Sequence, residues 1–187
     1  MKNIPIFTAC GGTASLILSE VPRWKRAYVM IQTHTPGEES AQAASCADFC
    51  RQVGAQEVFL TCRDGTELPL PHAYDMQRHS LPRSALPIPA RKVTLIPLDA
   101  KTTPVYIDAY NRRFAAIPGA AAATPEQLAR AAAAGSRQFL VAGPTSDPVG
   151  LGEIRGGELR AVASLRRGWG ADVTAALLQE CEGDPLT

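Results

Sequence analysis

The chain is most informative at Gly157-Glu-Leu-Arg-Ala-Val-Ala-Ser-Leu-Arg-Arg-Gly-Trp-Gly-Ala-Asp-Val-Thr-Ala-Ala-Leu-Leu178. Leu159, Ala161 and Ala163 recur at every second position, a period that predicts a β-strand ending near Ser164. Apolar residues at i, i+3, i+4 and i+8 from Val173 then predict a helix. The stretch therefore reads as a strand, a short loop and an amphipathic helix.

The predicted loop concentrates positive charge and glycine, with Arg166, Arg167, Gly168 and Gly170 directly before the helix. A helix N-terminus carries unpaired backbone N–H groups and a partial positive charge, and glycines let an anion approach them closely. We therefore predict a pocket for a di- or oligophosphate. The alternative is an ordinary strand-to-helix turn, in which glycines serve only the backbone conformation.

The residues upstream predict a definite order of elements. Thr124 followed by proline is typical of a helix start. The order is a strand at 92–96, helices at 106–115 and 124–134, and a three-stranded meander at 137–142, 148–155 and 157–164.

This order resembles the front part of the GNAT superfamily of acetyl-CoA-dependent N-acetyltransferases, over roughly residues 92–181. In that family the loop that holds the coenzyme A pyrophosphate follows the pattern Arg/Gln-x-x-Gly-x-Gly/Ala. Two registers are open here: Arg167-x-x-Gly170-x-Asp172, with aspartate in place of a small residue, and Leu165-x-x-Gly168-x-Gly170, with leucine at the basic position.

The resemblance implies an α/β fold, with a mixed, mostly antiparallel sheet flanked by helices and built from two incomplete halves. It implies acetyl-CoA as cosubstrate and a small-molecule or protein amine as acceptor. The thioester carbonyl would be held by a backbone N–H near Val162 or Ala163. The residues expected at the cofactor are Val162, Ala163, Arg166, Arg167, Gly168, Trp169, Gly170 and Ala171.

Acetyl transfer also needs a base for the amine and a proton for the leaving thiolate. We expect Glu153 to be the base, directly or through water; the alternative is an exposed strand residue paired with Arg155 or Arg160. Three tyrosines offer a phenol as the acid, and no motif selects among Tyr74, Tyr106 and Tyr110. Trp169 either stacks on an adenine or caps the next helix.

The first half is expected to be a partial unit of the same kind. Strands are predicted at 14–21, 27–32, 57–62 and 74–78, with a polar turn at 22–26 and a helix at 39–53. A proline-rich stretch at 81–91 is the predicted boundary between halves at 1–80 and 92–187. Because each half lacks elements that the other contains, we expect the first half to complete the sheet of the second.

Composition excludes several classes of protein. The chain has 187 residues, a net charge of +1 and 6% aromatic residues, which argues against a nucleic-acid binder. No apolar run suggests a membrane span or a signal peptide, so we expect a cytoplasmic protein, with a homodimer possible. Five cysteines without regular spacing suit free thiols in a reducing compartment and not a disulfide framework. Cys46 and Cys50 lack further ligands at zinc-like spacing, and the three histidines lack ligand spacing too, so no metal site is predicted.

Two functions remain open at this level. One is an N-acetyltransferase; the other is a non-catalytic acyl-CoA-binding or structural module with a degenerate form of the same fold. A different phosphate-binding α/β protein is less favoured, because the loop lacks the lysine and Ser/Thr of a P-loop.

Overall fold

The computed structural model describes residues 5–62, 68, 70–73, 79–117, 120 and 122–183. The chain divides into two compact units, Met1–Asp75 and Met76–Thr187. The strand predicted at 74–78, and Tyr74 with it, lies outside the described residues. Each unit contains one four-stranded sheet, so the described strands form two sheets and not the single completed sheet that the sequence suggested.

The first unit has a mixed sheet with strand order β1-β2-β3-β4. Its elements are β1 (Ile6–Ala9), β2 (Gly12–Ile17), α1 (Val21–Trp24), β3 (Arg26–Thr33), α2 (Glu39–Gln52) and β4 (Glu57–Cys62). The first three strands are antiparallel. Strand β4 is parallel to β3, and α2 makes the crossover between them.

Strand β1 was not predicted from the sequence. It is joined to β2 by Cys10 and Gly11, which have φ of 50° and 70°. Two consecutive positive φ values make the tight turn that favours hairpins, and cysteine is not a usual residue there. The predicted pairing of β2 with β3 is confirmed, but the strand ends at Ile17 and the predicted turn at 22–26 contains the short helix α1.

The second unit has an entirely antiparallel sheet with strand order β5-β6-β7-β8. Its elements are β5 (Thr94–Pro97), α3 (Thr102–Phe114), α4 (Pro125–Ala133), β6 (Ser136–Ala142), β7 (Pro148–Arg155), β8 (Glu158–Ser164) and α5 (Gly170–Glu180). The predicted element order is therefore confirmed. Helix α3 begins before its predicted start, because Asp99 Oδ1 accepts the backbone N–H groups of Lys101 and Thr102.

Helices cover both faces of this sheet. On one face Tyr106 of α3 packs with Leu140 and Leu151. On the other, Val173 and Leu177 of α5 pack with apolar residues of β6 and β7. The close approach of α5 depends on glycines of β7, since a Cβ built on Gly150 would lie 2.5 Å from Val173 Cγ2.

The proline-rich stretch belongs to the second unit. Arg83 Nη1 donates to the Cys181 carbonyl at 2.9 Å, and Gln179 Nε2 donates to the Pro87 carbonyl at 3.1 Å. These bonds attach the stretch to the end of α5. Among the described helices, none is both long and apolar enough to cross a membrane.

Candidate functional site

The predicted phosphate loop joins β8 to α5 at one end of the second sheet. Its backbone N–H groups at Gly168, Gly170 and Ala171 have no acceptor within the described residues. The first N–H of the helix that is bonded belongs to Val173, which donates to the Trp169 carbonyl at 3.0 Å. The loop therefore presents a set of unpaired donors at a helix N-terminus, as an anion site requires.

Asp172 does not face this donor set. It is buried, and its Oδ1 accepts the Arg91 backbone N–H at 3.0 Å while Oδ2 accepts Arg91 Nε at 2.8 Å and Nη2 at 2.6 Å. The backbone N–H of Arg91, followed by its guanidinium, lowers the pKa of Asp172. The repulsion that Asp172 would exert on a phosphate is thus offset by a bidentate partner.

Arg91 is the residue at this site that sequence reasoning missed. Its guanidinium lies over the indole of Trp169, 3.7 Å from the ring centroid, and its Nη2 also donates to the Gly168 carbonyl. Arg91 stands in the proline-rich stretch, far from the loop in sequence, so only tertiary packing brings it there. One face of the Trp169 indole is therefore occupied by Arg91. The Trp169 side chain makes no capping hydrogen bond to the start of α5.

The arginines of the loop differ in how they are engaged. Arg166 Nη2 lies 3.1 Å from Asp147 Oδ2, and both side chains are about half exposed. Arg167 is exposed and has no ion pair within the described residues. Arg113, at the end of α3, donates to the Leu165 carbonyl at 3.1 Å and adds a cation that the sequence did not identify. Four arginines thus lie at the loop: Arg91, Arg113, Arg166 and Arg167. Of these, Arg167 makes the fewest contacts with the described residues.

The two glycines of the loop have different roles. Gly168 has φ of +80°, a conformation that other residues rarely adopt. Gly170 is the first residue of α5, and a Cβ there would meet only Ser164 Cβ, at 3.9 Å. A helix that begins at Gly170 fits the register Leu165-x-x-Gly168-x-Gly170 and leaves Asp172 inside the helix.

Strand β8 is an edge strand of the described sheet. The Leu165 N–H donates to the Val149 carbonyl at 2.8 Å, so this position bonds to β7. In an antiparallel pair the bonded positions alternate. Ala163 therefore bonds toward β7, and Val162 directs its backbone N–H and carbonyl toward the open edge.

Glu153 lies on β7 opposite Gln138 of β6 and Ala161 of β8. It is half-buried, and it makes no ion pair with the described arginines, since Arg160 pairs with Glu158 at 2.6 Å. The pairing with Arg155 or Arg160 considered from the sequence is therefore not formed. On β8 the register skips Arg160, so a bulge lies beside Glu153, a feature often found next to active sites.

Two tyrosines of α3 lie near this carboxylate. Burial, and then the charge of Glu153, raises the pKa of both Tyr106 and Tyr110. Tyr106 is fully buried, so it is not accessible to a substrate. Tyr110 remains partly exposed, which makes it the accessible phenol of the two.

The cysteines of α2 are buried thiols, as predicted. Cys46 and Cys50 are each 0% exposed, and burial raises the pKa of Cys46 to about 11 and raises that of Cys50 as well. At neutral pH these thiols stay protonated. The described residues contain no group of three metal-ligating side chains, and His34 lies 3.5 Å from Glu39.

Comparison of the chain with protein-family models, curated proteins and solved structures gives no match.

Proposed function

We propose that the second unit binds an acyl-coenzyme A and transfers its acetyl group to an amine, as the order of elements in the GNAT-type N-acetyltransferases suggests. The observation that carries the proposal is the loop at 165–171. It combines amide donors and an arginine, Arg167, that have no partner among the described residues with an aspartate whose carboxylate is bonded by Arg91. A pyrophosphate would meet complementary charge and hydrogen bonds there.

The edge of β8 supports a place for the thioester arm. Val162 lies six residues before the loop glycine Gly168, and its backbone N–H points to the open edge. From Val162 to the end of the strand at Ser164 is about 7 Å at the usual rise per residue. An extended arm could run along this edge and place its carbonyl at Val162, where the N–H would stabilise the oxyanion.

Glu153 is the base in this proposal. Its carboxylate is half-buried and forms no ion pair within the part of the chain that the structure describes. It is paired across the strands with Ala161 on the edge strand, whose side chain is a single methyl group. A carboxylate in that setting can take a proton from an ammonium that approaches the edge, directly or through water. Tyr110 is the accessible phenol that could return a proton to the thiolate.

The proposal is tested first by calorimetric titration with acetyl-CoA and then by thiol release with a panel of amines. Glu153→Gln is expected to leave the dissociation constant nearly unchanged and to lower turnover about a hundredfold, since it removes basicity while keeping the shape. Equal turnover of wild type and Glu153→Gln would exclude Glu153 as the base.

The competing function is a non-catalytic acyl-CoA-binding module. It is favoured by the burial of Tyr106, which leaves a single accessible phenol near Glu153 in the described residues. Tight binding of acetyl-CoA with no thiol release for any amine would support this alternative. No binding at all would reject both functions.

A further inference from the structure

A polar cluster lies on the face of the second sheet that α3 covers. Gln138 and Glu153 are directly opposite each other on β6 and β7, so their side chains share a face. Leu140 and Leu151 lie two residues further along the same face, and both pack with Tyr106. Helix α3 therefore sets the phenol of Tyr106 over the face that carries Gln138 and Glu153.

Two donors of this cluster are buried and unpaired. Tyr106 Oη and Gln138 Nε2 have no hydrogen-bond partner among the described residues, although the two side chains belong to residues only 0% and 8% exposed. Buried donors without a partner are costly, and in folded proteins nearly all of them bond to protein or to ordered water.

The carboxylate of Glu153 is a hydrogen-bond acceptor on the same face of the sheet. Its half-buried carboxylate has no ion pair and no hydrogen-bond donor among the described residues. Tyr106 packs on Leu151, which lies two residues from Glu153 on the same face of β7, and no hydrogen bond joins the phenol to the carboxylate. The unpaired donors of Tyr106 and Gln138 thus lie on the same face of the sheet as the carboxylate of Glu153, which lacks a donor among the described residues.

We propose that one ordered water molecule lies between Tyr106, Gln138 and Glu153 and joins the two donors to the carboxylate. A water molecule accepts two hydrogen bonds and donates two. It therefore accepts from Tyr106 Oη and Gln138 Nε2 and donates to Glu153. Three bonds are typical of a buried water, and each of the three unpaired groups gains a partner.

This water makes Tyr106 a positioning residue, which acts on Glu153 from inside the core without touching a substrate. That consequence rests on the proposed function, because it matters only if Glu153 is the base. The water site itself rests on the cluster alone.

The first test uses unfolding of the second unit in a Trp24→Phe background, where Trp169 is the remaining tryptophan and reports on this unit. Tyr106→Phe and Gln138→Leu each remove one bond to the water, and each is expected to raise the unfolding equilibrium constant about tenfold. Tyr110→Phe is the matched control, because it removes a hydroxyl from a partly exposed position of the same helix, and it should have little effect.

Tyr106→Phe is nearly isosteric, so an unfolded variant is not expected. An unfolding constant that stays the same or falls would mean that the hydroxyl is unpaired in a dry core, and would overturn the proposal. A high-resolution crystal structure provides the second measurement. It should show a water within hydrogen-bond distance of all three atoms in the wild type and none in Tyr106→Phe. A direct bond from Tyr106 Oη to Glu153 would also overturn it.

If the protein turns over an amine, Tyr106→Phe should lower kcat about tenfold and leave the dissociation constant of acetyl-CoA unchanged. An unchanged kcat would remove the positioning role. The unfolding and diffraction results test the water site even if no amine is turned over. Failure of the proposed function can therefore be distinguished from absence of the water.

Discussion

Asp172 illustrates how a single ion pair changes what a helix N-terminus can bind. A carboxylate in the first turn of a helix is favourable for the helix dipole but unfavourable for a neighbouring phosphate. Here three hydrogen bonds from Arg91 engage both of its oxygens. The carboxylate then stabilises the helix start while the amides ahead of it stay available.

The pH dependence of stability should reveal this pair. In the folded protein the pKa of Asp172 is below its ordinary value of 3.8. The pairing of Asp172 with Arg91 therefore stabilises the folded state above pH 3.8, and this stability is lost as the pH falls through the lowered pKa. In the Trp24→Phe background, acid unfolding followed by Trp169 fluorescence should therefore be steeper below about pH 4 with Asp172 than with Asp172→Asn. If the two proteins give identical unfolding curves in acid, Asp172 keeps its ordinary pKa in the folded state.

The two loop arginines should differ in their effect on ligand binding. Arg167 is unpaired within the described part of the chain, whereas Arg166 already contacts Asp147. Arg167→Ala is expected to weaken acetyl-CoA binding by about 1 to 3 kcal/mol, the usual value of a charge-assisted hydrogen bond, and Arg166→Ala by less. Calorimetry measures both, with Arg112→Ala on α3 as the control for loss of an exposed charge. Equal affinities in all three variants would remove the phosphate role.

At the level of elements, the sequence pattern predicted the second unit better than the first. The helix cap at Thr124 is a local signal that the structure contains where it was expected, and β6, β7 and β8 lie close to their predicted positions. The alternation predicted for β8 is interrupted by the bulge at Arg160, since Leu159 packs with the α5 cluster and Ala163 with the α3 cluster. Strand β1 was missed because Cys10 occupies the turn position where Asn, Asp or Gly usually marks a hairpin. Local pattern could not reveal Arg91 or Arg113 either, because their contacts with the loop join residues distant in sequence.

The two loop glycines provide a matched test of the loop's geometry. Gly168→Ala must place a Cβ at positive φ, which costs about 1 to 2 kcal/mol. Gly170→Ala adds a methyl group at the first position of α5, where the space is open, and should be neutral or slightly stabilising. Urea unfolding monitored by Trp169 in the Trp24→Phe background measures the difference. A larger loss for Gly170→Ala would contradict the assignment of α5's start.

At the level of the whole molecule, the sequence predicted two parts but treated the proline-rich stretch as a linker. The structure attaches it to the second unit through Arg83, Pro87 and Arg91. Proline-rich composition indicates only the absence of a helix, and it carries no information about which surface the stretch packs against.

Fragments of the second unit test this attachment. A fragment of residues 76–187 retains all three contacts, whereas one of residues 92–187 loses them together with the packing of Leu86. We expect the longer fragment to unfold at a higher urea concentration and the shorter one to expose Trp169. Circular dichroism and tryptophan emission measure both properties. Equal midpoints would show that the stretch contributes nothing to the stability of this unit.

Both units place a helix directly after three consecutive antiparallel strands, α2 after β3 and α5 after β8. Glutamates at 38 and 39 stand at the start of α2, where arginines at 166 and 167 precede α5. Charge alone therefore gives the two helix starts opposite preferences for an anion. If the proposed phosphate site at the start of α5 is correct, calorimetric titration should give one phosphate ligand per chain, with no second site at the start of α2.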